Sequence, residues 1–186
     1  MEIKKNIEKE FKSLPQDFIV TVLPSTENYS DVTTAILDYL INERKMSGIY
    51  FTTNKPYETL ANALKNSNVD AKKLFFIDAI SGIVGKKSDA GNCVIVQNPS
   101  ALTELSIQIT EACTTKKPSF LIMDSLSTML VYNNENATVR FIHYLTTQLR
   151  KCKVAGVIFS LEKDIEKKML DDITMFCDKV INFEAN

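Results

Sequence analysis

The residue in this sequence best placed to do chemistry is Asp124. It ends an unbroken apolar run, Phe120-Leu121-Ile122-Met123, and is followed by Ser125 and Ser127, so a buried strand would carry a carboxylate with neighbouring hydroxyls to its carboxyl end. The same order of residues makes a good turn and helix cap, and both uses stay open. Other reactive side chains are dispersed. Cys93, Cys113, Cys152 and Cys177 are spaced too widely for a CxxC zinc or redox motif, each sits in an apolar stretch, and they read as reduced core thiols. His143, the one histidine, lies between Ile142 and Tyr144 with no cysteine or carboxylate at ligand spacing, which argues against a histidine-based triad. All 5 glycines lie at or beyond Gly48, which removes from the first quarter of the chain any phosphate loop built on closely spaced glycines. Gly82-Ile83-Val84-Gly85-Lys86-Lys87-Ser88 has only two residues between its glycines and follows the third predicted strand, not the first. It reads as a flexible basic loop, with an anion or partner contact as its other use.

The elements that must position these residues follow from hydropathy. Continuous apolar runs predict strands over Asp17–Leu23, Gly48–Thr53, Leu74–Ala79, Cys93–Val96, Phe120–Asp124, Val154–Ser160 and Lys179–Phe183. Amphipathic stretches between them predict helices over Ser30 to Lys45, Pro56 to Leu64, Asn98 to Ala112, Asn134 to Lys151 and Lys163 to Asp172. Ser30 is expected to cap the first of these, with Asp31 in its first turn, and Asn54 the second; the segment after Asp124 is expected to be a polar loop. The alternation predicts a mainly parallel sheet covered on both faces, with ligands at the strands' carboxyl ends. No linker divides the 186 residues, which are expected to form one domain: an N-terminal helix over 1–14 and a core over 15–184. That helix carries Ile3, Ile7, Phe11 and Leu14 at helical spacing and is expected to pack on its own domain, with contact to a neighbouring subunit as its other use.

A formal net charge of -1 provides no field to draw the chain onto nucleic acid or an anionic membrane. The stretch after Asp124, SLSTMLVYNNENAT, has one aromatic residue and neither lysine nor arginine, so nucleic acid is not an expected partner. No apolar run reaches the length of a membrane span and the N-terminus lacks a signal-peptide pattern, so a cytoplasmic protein with no membrane insertion is expected.

The ordered set YFTTNKPYETLANAL, KKLFFIDAISG, FLIMDSLSTM, ATVRFIHYLTTQLRK and MFCDKVINFE resembles the RecA-type P-loop ATPases and, within them, the archaeal KaiC-like branch, over roughly residues 15 to 184. The resemblance implies a three-layer α/β/α fold in which the first strand leads into a phosphate loop, GxxxxGK[ST]. Leu23 to Thr33 stands there and holds neither glycine nor lysine; Ser30 or Val32 takes the lysine's place, and Asp31 or Thr33 that of the magnesium-holding hydroxyl. Losing the lysine's charge-assisted hydrogen bonds costs about 1.5–3 kcal/mol. A carboxylate from Asp31 or Glu27 within about 5 Å of a phosphate adds about 3 kcal/mol of repulsion at an effective dielectric near 20. Together they remove about four decades of affinity. Asp31 also supplies the negative charge that the helix dipole would otherwise take from a phosphate.

The resemblance further implies a catalytic glutamate after the second strand, where Thr52-Thr53-Asn54-Lys55 stand instead; Glu58, the nearest carboxylate, falls within a predicted helix as a solvated side chain. Asp124 matches the acidic residue that holds magnesium through water. The expectation is a non-catalytic RecA/KaiC-like protein with a degenerate nucleotide site formed by Ser25, Thr26, Asn28, Ser30, Thr33 and Asp124. No cofactor is expected, and the role is regulatory, signalling or assembly, with a protein partner or a second copy of the chain. The alternative is a nucleotide-binding ATPase with an altered phosphate loop, taking ATP with magnesium on Asp124 and a lysine from Lys55, Lys86 or a neighbouring subunit.

Overall fold

In the computed structural model, which describes residues 2–87, 91–161, 163 and 165–183, the apolar runs form one sheet of seven strands. They are β1 Ile19–Pro24, β2 Gly48–Thr52, β3 Leu74–Asp78, β4 Cys93–Ile95, β5 Phe120–Asp124, β6 Ala155–Phe159 and β7 Lys179–Phe183, in the order β4-β3-β2-β5-β6-β1-β7. Every neighbouring pair is parallel. β1, β2, β5 and β6 are buried along their whole length, which is why their residues run apolar without alternation.

Successive side chains point to opposite faces, and each face has its own helices. On one side lie α1 Glu2–Lys12, α2 Tyr29–Asp38 and α3 Tyr57–Lys65, whose Phe11, Ile36, Leu60 and Leu64 join Val20, Val22, Tyr50, Phe76 and Ile122 of the sheet. On the other lie α4 Leu102–Lys116, α5 Leu126–Tyr132, α6 Glu135–Cys152 and α7 Lys167–Thr174, with Leu105, Ile109, Met129, Ile142 and Leu145 against Ile49, Phe51, Ile77, Leu121 and Met123. The architecture is three-layer α/β/α. α1 packs on this same chain through buried Ile7 and Phe11.

Five local expectations are corrected. The polar loop after Asp124 is helix α5, because Ser125 accepts the Thr128 N–H as its cap and Leu126, Met129 and Leu130 fall at helical spacing on the core. α2 begins at Tyr29 with Asn28 at its cap position, so Ser30 lies inside the first turn; it ends at Asp38 and passes into a π turn, Tyr39–Glu43. α3 is not capped by Asn54: its first N–H, on Tyr57, is taken by Asp78 Oδ2 at 2.7 Å across the sheet edge. The helix α4 starts two residues after Ser100 and runs on to Lys116. The last helix begins at Lys167; Glu162, Asp164, Ser88 and Glu184, which fall in segments singled out above, lie outside the described residues.

Asp78 and Asp124 occupy one row of the sheet, both registered on Thr52. Asp78 is fully buried and accepts from Tyr57 N, Ile80 N, Ser81 N and Ser81 Oγ, so its charge is met almost wholly by main chain. The short turn it holds, Ser81–Val84, passes so close to the end of β4 that a Cβ on Gly82 would come within 2.1 Å of the Val96 carbonyl oxygen. Gly82→Ala is therefore expected to destabilise the fold by about 1–3 kcal/mol, whereas Gly91→Ala, with nothing within 4 Å of the added methyl, leaves urea unfolding nearly unchanged.

Candidate functional site

The carboxyl ends of β1, β2, β5 and β6 open on a cleft of about 380 Å³. Its walls come from the segments after each strand: Thr26, Glu27, Tyr29 and Ser30 after β1, Asn54 and Lys55 after β2, Ser125, Ser127, Thr128 and Val131 after β5, and Leu161 after β6. Hydroxyls predominate, with one cation, Lys55, and one anion, Glu27, among the lining residues. Glu27 is exposed, and its carboxyl is held below the usual range by a hydrogen bond from its own backbone N–H and then by the Ser25 hydroxyl, so it stays charged at the rim.

Asp124 lies beneath this cleft, 2% exposed. Alternation along β5 points its side chain to the α2 face, where Tyr29 in the first turn of α2 donates its hydroxyl to Oδ1 at 2.6 Å and Tyr50 of β2 donates to Oδ2 at 2.5 Å. Both carboxylate oxygens are thus engaged by phenols. Burial pushes the Tyr29 and Tyr50 hydroxyls well above the usual tyrosine pKa, and the Asp124 charge and hydrogen bond push the same way. Tyr29 is further held against Phe159, ring centres 5.7 Å apart, and Tyr50 against Phe76 at 5.9 Å.

The other residues singled out from the sequence divide into two groups. Thr26 and Ser30 are exposed and line the cleft. Ser25, Asn28 and Thr33 are engaged by main-chain groups of the loop, of β7 and of α2. Ser25 N and Asn28 Nδ2 both donate to the Phe183 carbonyl of β7, at 3.2 and 3.0 Å, and Asn28 N donates to Ser25 Oγ at 3.3 Å. The Thr33 hydroxyl donates to the Tyr29 carbonyl at 2.8 Å, one turn back on α2. The buried Asn28 Oδ1 has no hydrogen-bond partner among the described residues. The loop between β1 and α2 is therefore four residues long and closed onto β7.

After β2, Thr53 ties β2 to the start of α5: its N–H donates to the Asp124 carbonyl at 2.7 Å and its hydroxyl to the Ser125 carbonyl at 2.9 Å. The Asp124–Ser125 peptide is cis. Thr52 Oγ1 closes the turn to Lys55, donating to its carbonyl and accepting its N–H. Glu58 is exposed on α3 and pairs with Lys86 at 2.8 Å, which places Lys86 in an ion pair outside the cleft lining, whereas Lys55 lines the cleft. His143 is exposed and stacks on Phe176 at 4.5 Å. Among the described residues no group of His, Cys, Asp and Glu is arranged to hold a metal ion, and no helix is long and apolar enough to cross a membrane.

Sequence reasoning missed Tyr29, Tyr50 and Asp78. A signal existed for Tyr50, because a tyrosine inside an otherwise apolar strand must find a hydrogen-bond partner for its hydroxyl. For Tyr29, in a segment read as loop, there was none.

A family model described as "Family of unknown function (DUF7504)" matches residues 20–183, and the chain belongs to that family. No curated protein sequence matches it. Among solved structures it is similar to a KaiC-like protein from the hyperthermophilic archaeon Pyrococcus horikoshii OT3. The TM-score is 0.65 at 13% identity, over 92% of this chain and 74% of that one. The fold is the RecA-like fold of that KaiC-like protein.

Tyr50→Phe leaves Asp124 Oδ2 buried without its donor and is expected to cost about 1–3 kcal/mol in urea unfolding. Because both phenols ionise above the ordinary tyrosine pKa of about 10 in the folded chain, their contribution is complete below about pH 10 and is lost as the pH rises beyond it. Unfolding midpoints measured from about pH 9 to 11 should fall, and fall less in the Tyr29→Phe, Tyr50→Phe double variant.

Proposed function

We propose that this DUF7504 member is a non-catalytic protein with a RecA-like, KaiC-like ATPase fold, whose nucleotide position is taken by its own side chains. It acts as a regulatory, signalling or assembly subunit through a protein partner or a second copy of itself. The observation that carries this reading is the Tyr29–Asp124–Tyr50 cluster. For Asp124 to hold magnesium through water, two hydrogen bonds to a charged acceptor would have to open, at about 1.5–3 kcal/mol each.

The remaining donors argue the same way. A phosphate cradle needs main-chain N–H groups turned inward and a lysine among them. Here Ser25 N and Asn28 N are consumed inside the loop and on β7, the Thr33 hydroxyl is bonded to its own helix, and Glu27 stands charged at the rim. Where a water-activating carboxylate would be needed, Thr53 and Asn54 stand, and Thr53 is committed to the backbone of β5 and Ser125. These residues do not fit a magnesium nucleotide, and no hydrolytic step is derived through one.

One observation favours the second reading, a nucleotide-binding ATPase with an altered loop: Lys55 lines the cleft. Isothermal titration separates the two. The first predicts no saturable heat from ATP with magnesium up to millimolar concentration; micromolar binding that is lost in Asp124→Ala or Lys55→Ala would overturn it in favour of the second.

A further inference from the structure

The cleft at the carboxyl edge of the sheet is set where the chain parts. It leaves β2 toward β3 and β5 toward β6, so two neighbouring parallel strands send their following segments in opposite directions. A crevice forms at such a point, and ligands of open α/β sheets sit in it. Its volume of about 380 Å³ falls at the lower end of small-molecule sites.

Two opposite charges line it from separate strands. Lys55 is pinned over the end of β2, where Thr52 Oγ1 donates to its carbonyl at 2.7 Å and accepts its N–H at 3.1 Å. Glu27 lies over the end of β1, in the loop that Ser25 N and Asn28 Nδ2 tie to the Phe183 carbonyl of β7. In the order β2-β5-β6-β1 those ends are three strand spacings apart, about 14 Å. Both side chains are exposed, and among the described residues neither enters an ion pair. Glu27 accepts from its own N–H and from the Ser25 hydroxyl, with Lys163 a weaker positive neighbour.

We propose that this cleft binds a small zwitterion whose ammonium and carboxylate stand about 7 Å apart, the span of an extended dipeptide. The ligand's carboxylate meets the Lys55 ammonium and its ammonium meets the Glu27 carboxylate. The two long side chains, reaching inward from walls about 14 Å apart, take up the rest of the distance. Between the charges, the exposed hydroxyls of Thr26 and Ser30 both donate and accept, as a peptide group requires, and Val131 and Leu161 offer apolar contact. A single α-amino acid spans about half that length and does not reach both walls. A phosphate ester brings no cation to Glu27, which repels it. The inference rests on the reading of the cleft as free of nucleotide and goes beyond it by naming the class of ligand.

The test is an amide-shift titration of the isotope-labelled full-length chain. The probes are alanyl-alanine, its N-acetyl form without the ammonium, its amide without the carboxylate, and ε-aminocaproate, which keeps both charges and lacks the peptide group. Alanyl-alanine is expected to saturate shifts at Thr26, Ser30 and Lys55, with each blocked form binding about three- to fivefold more weakly, the worth of one exposed ion pair. Lys55→Met should abolish the discrimination against the amide and keep that against the acetyl form, and Glu27→Gln the reverse. Both side chains are exposed, so the two variants keep the wild-type urea midpoint. Equal binding of ε-aminocaproate shows that the two charges alone define the ligand, an ω-amino acid; weaker binding assigns it to peptides. Blocked forms that bind as well as alanyl-alanine, discrimination that survives in both variants, or no saturable shift from either zwitterion overturn the proposal. ATP with magnesium, added to the same sample, keeps the two readings apart: displacement at micromolar concentration overturns the non-catalytic reading, whereas silence toward every probe and toward ATP overturns this inference alone.

Discussion

The carboxyl edge of the sheet is organised by the need to satisfy two carboxylates taken out of water. A buried charge is tolerable only when hydrogen-bond donors replace the lost hydration, and Asp78 and Asp124 stand in one row, both beside Thr52, with almost no exposure. Their demands fix the neighbouring backbone. Asp78 draws the start of α3 and the Ser81–Val84 turn onto β3. Asp124 draws the first turn of α2 and the side chain of β2 onto β5. The short loop after β1 follows, because Tyr29 reaches Oδ1 only if α2 begins close to the strand.

The two acids are answered in different ways. Main-chain donors around Asp78 cannot be exchanged by substitution, so that corner is a rigid joint. Around Asp124 the donors are two phenols on separate elements, and one of them, Tyr29, also forms a wall of the cleft. A single side chain thus both borders the cleft and donates to the buried acid. Among the described lining residues, hydroxyls predominate, with Lys55 and Glu27 as the charged groups.

Much of the fold was legible because burial on both faces leaves a plain trace. β5 and β7 begin and end where the apolar runs do, and Asn134 caps α6 as its residue type suggests. What was illegible depends on partners distant in sequence. No window around Asn54 shows that Asp78 will cap α3. The helical spacing of Leu126, Met129 and Leu130 was present but was outweighed by the polar residues around it. At the site, the absence of glycine and lysine between Leu23 and Thr33 was readable from composition. That Tyr29 and Tyr50 close on Asp124 was not, since their separations of 95 and 74 residues are bridged only by the sheet.

The position of β1 has a consequence for how this chain comes into being on the ribosome. β1 is registered on β6 at one side, Ile19 beside Gly156, and on β7 at the other, Val20 beside Lys179. Its two ladders therefore cannot form until residues beyond 155 have been synthesised. β2, β3 and β4 can pair as soon as they emerge, and β5 can join them on β2. The first strand made is thus completed among the last, and until then its apolar surface and both its edges await partners while the rest of the sheet assembles.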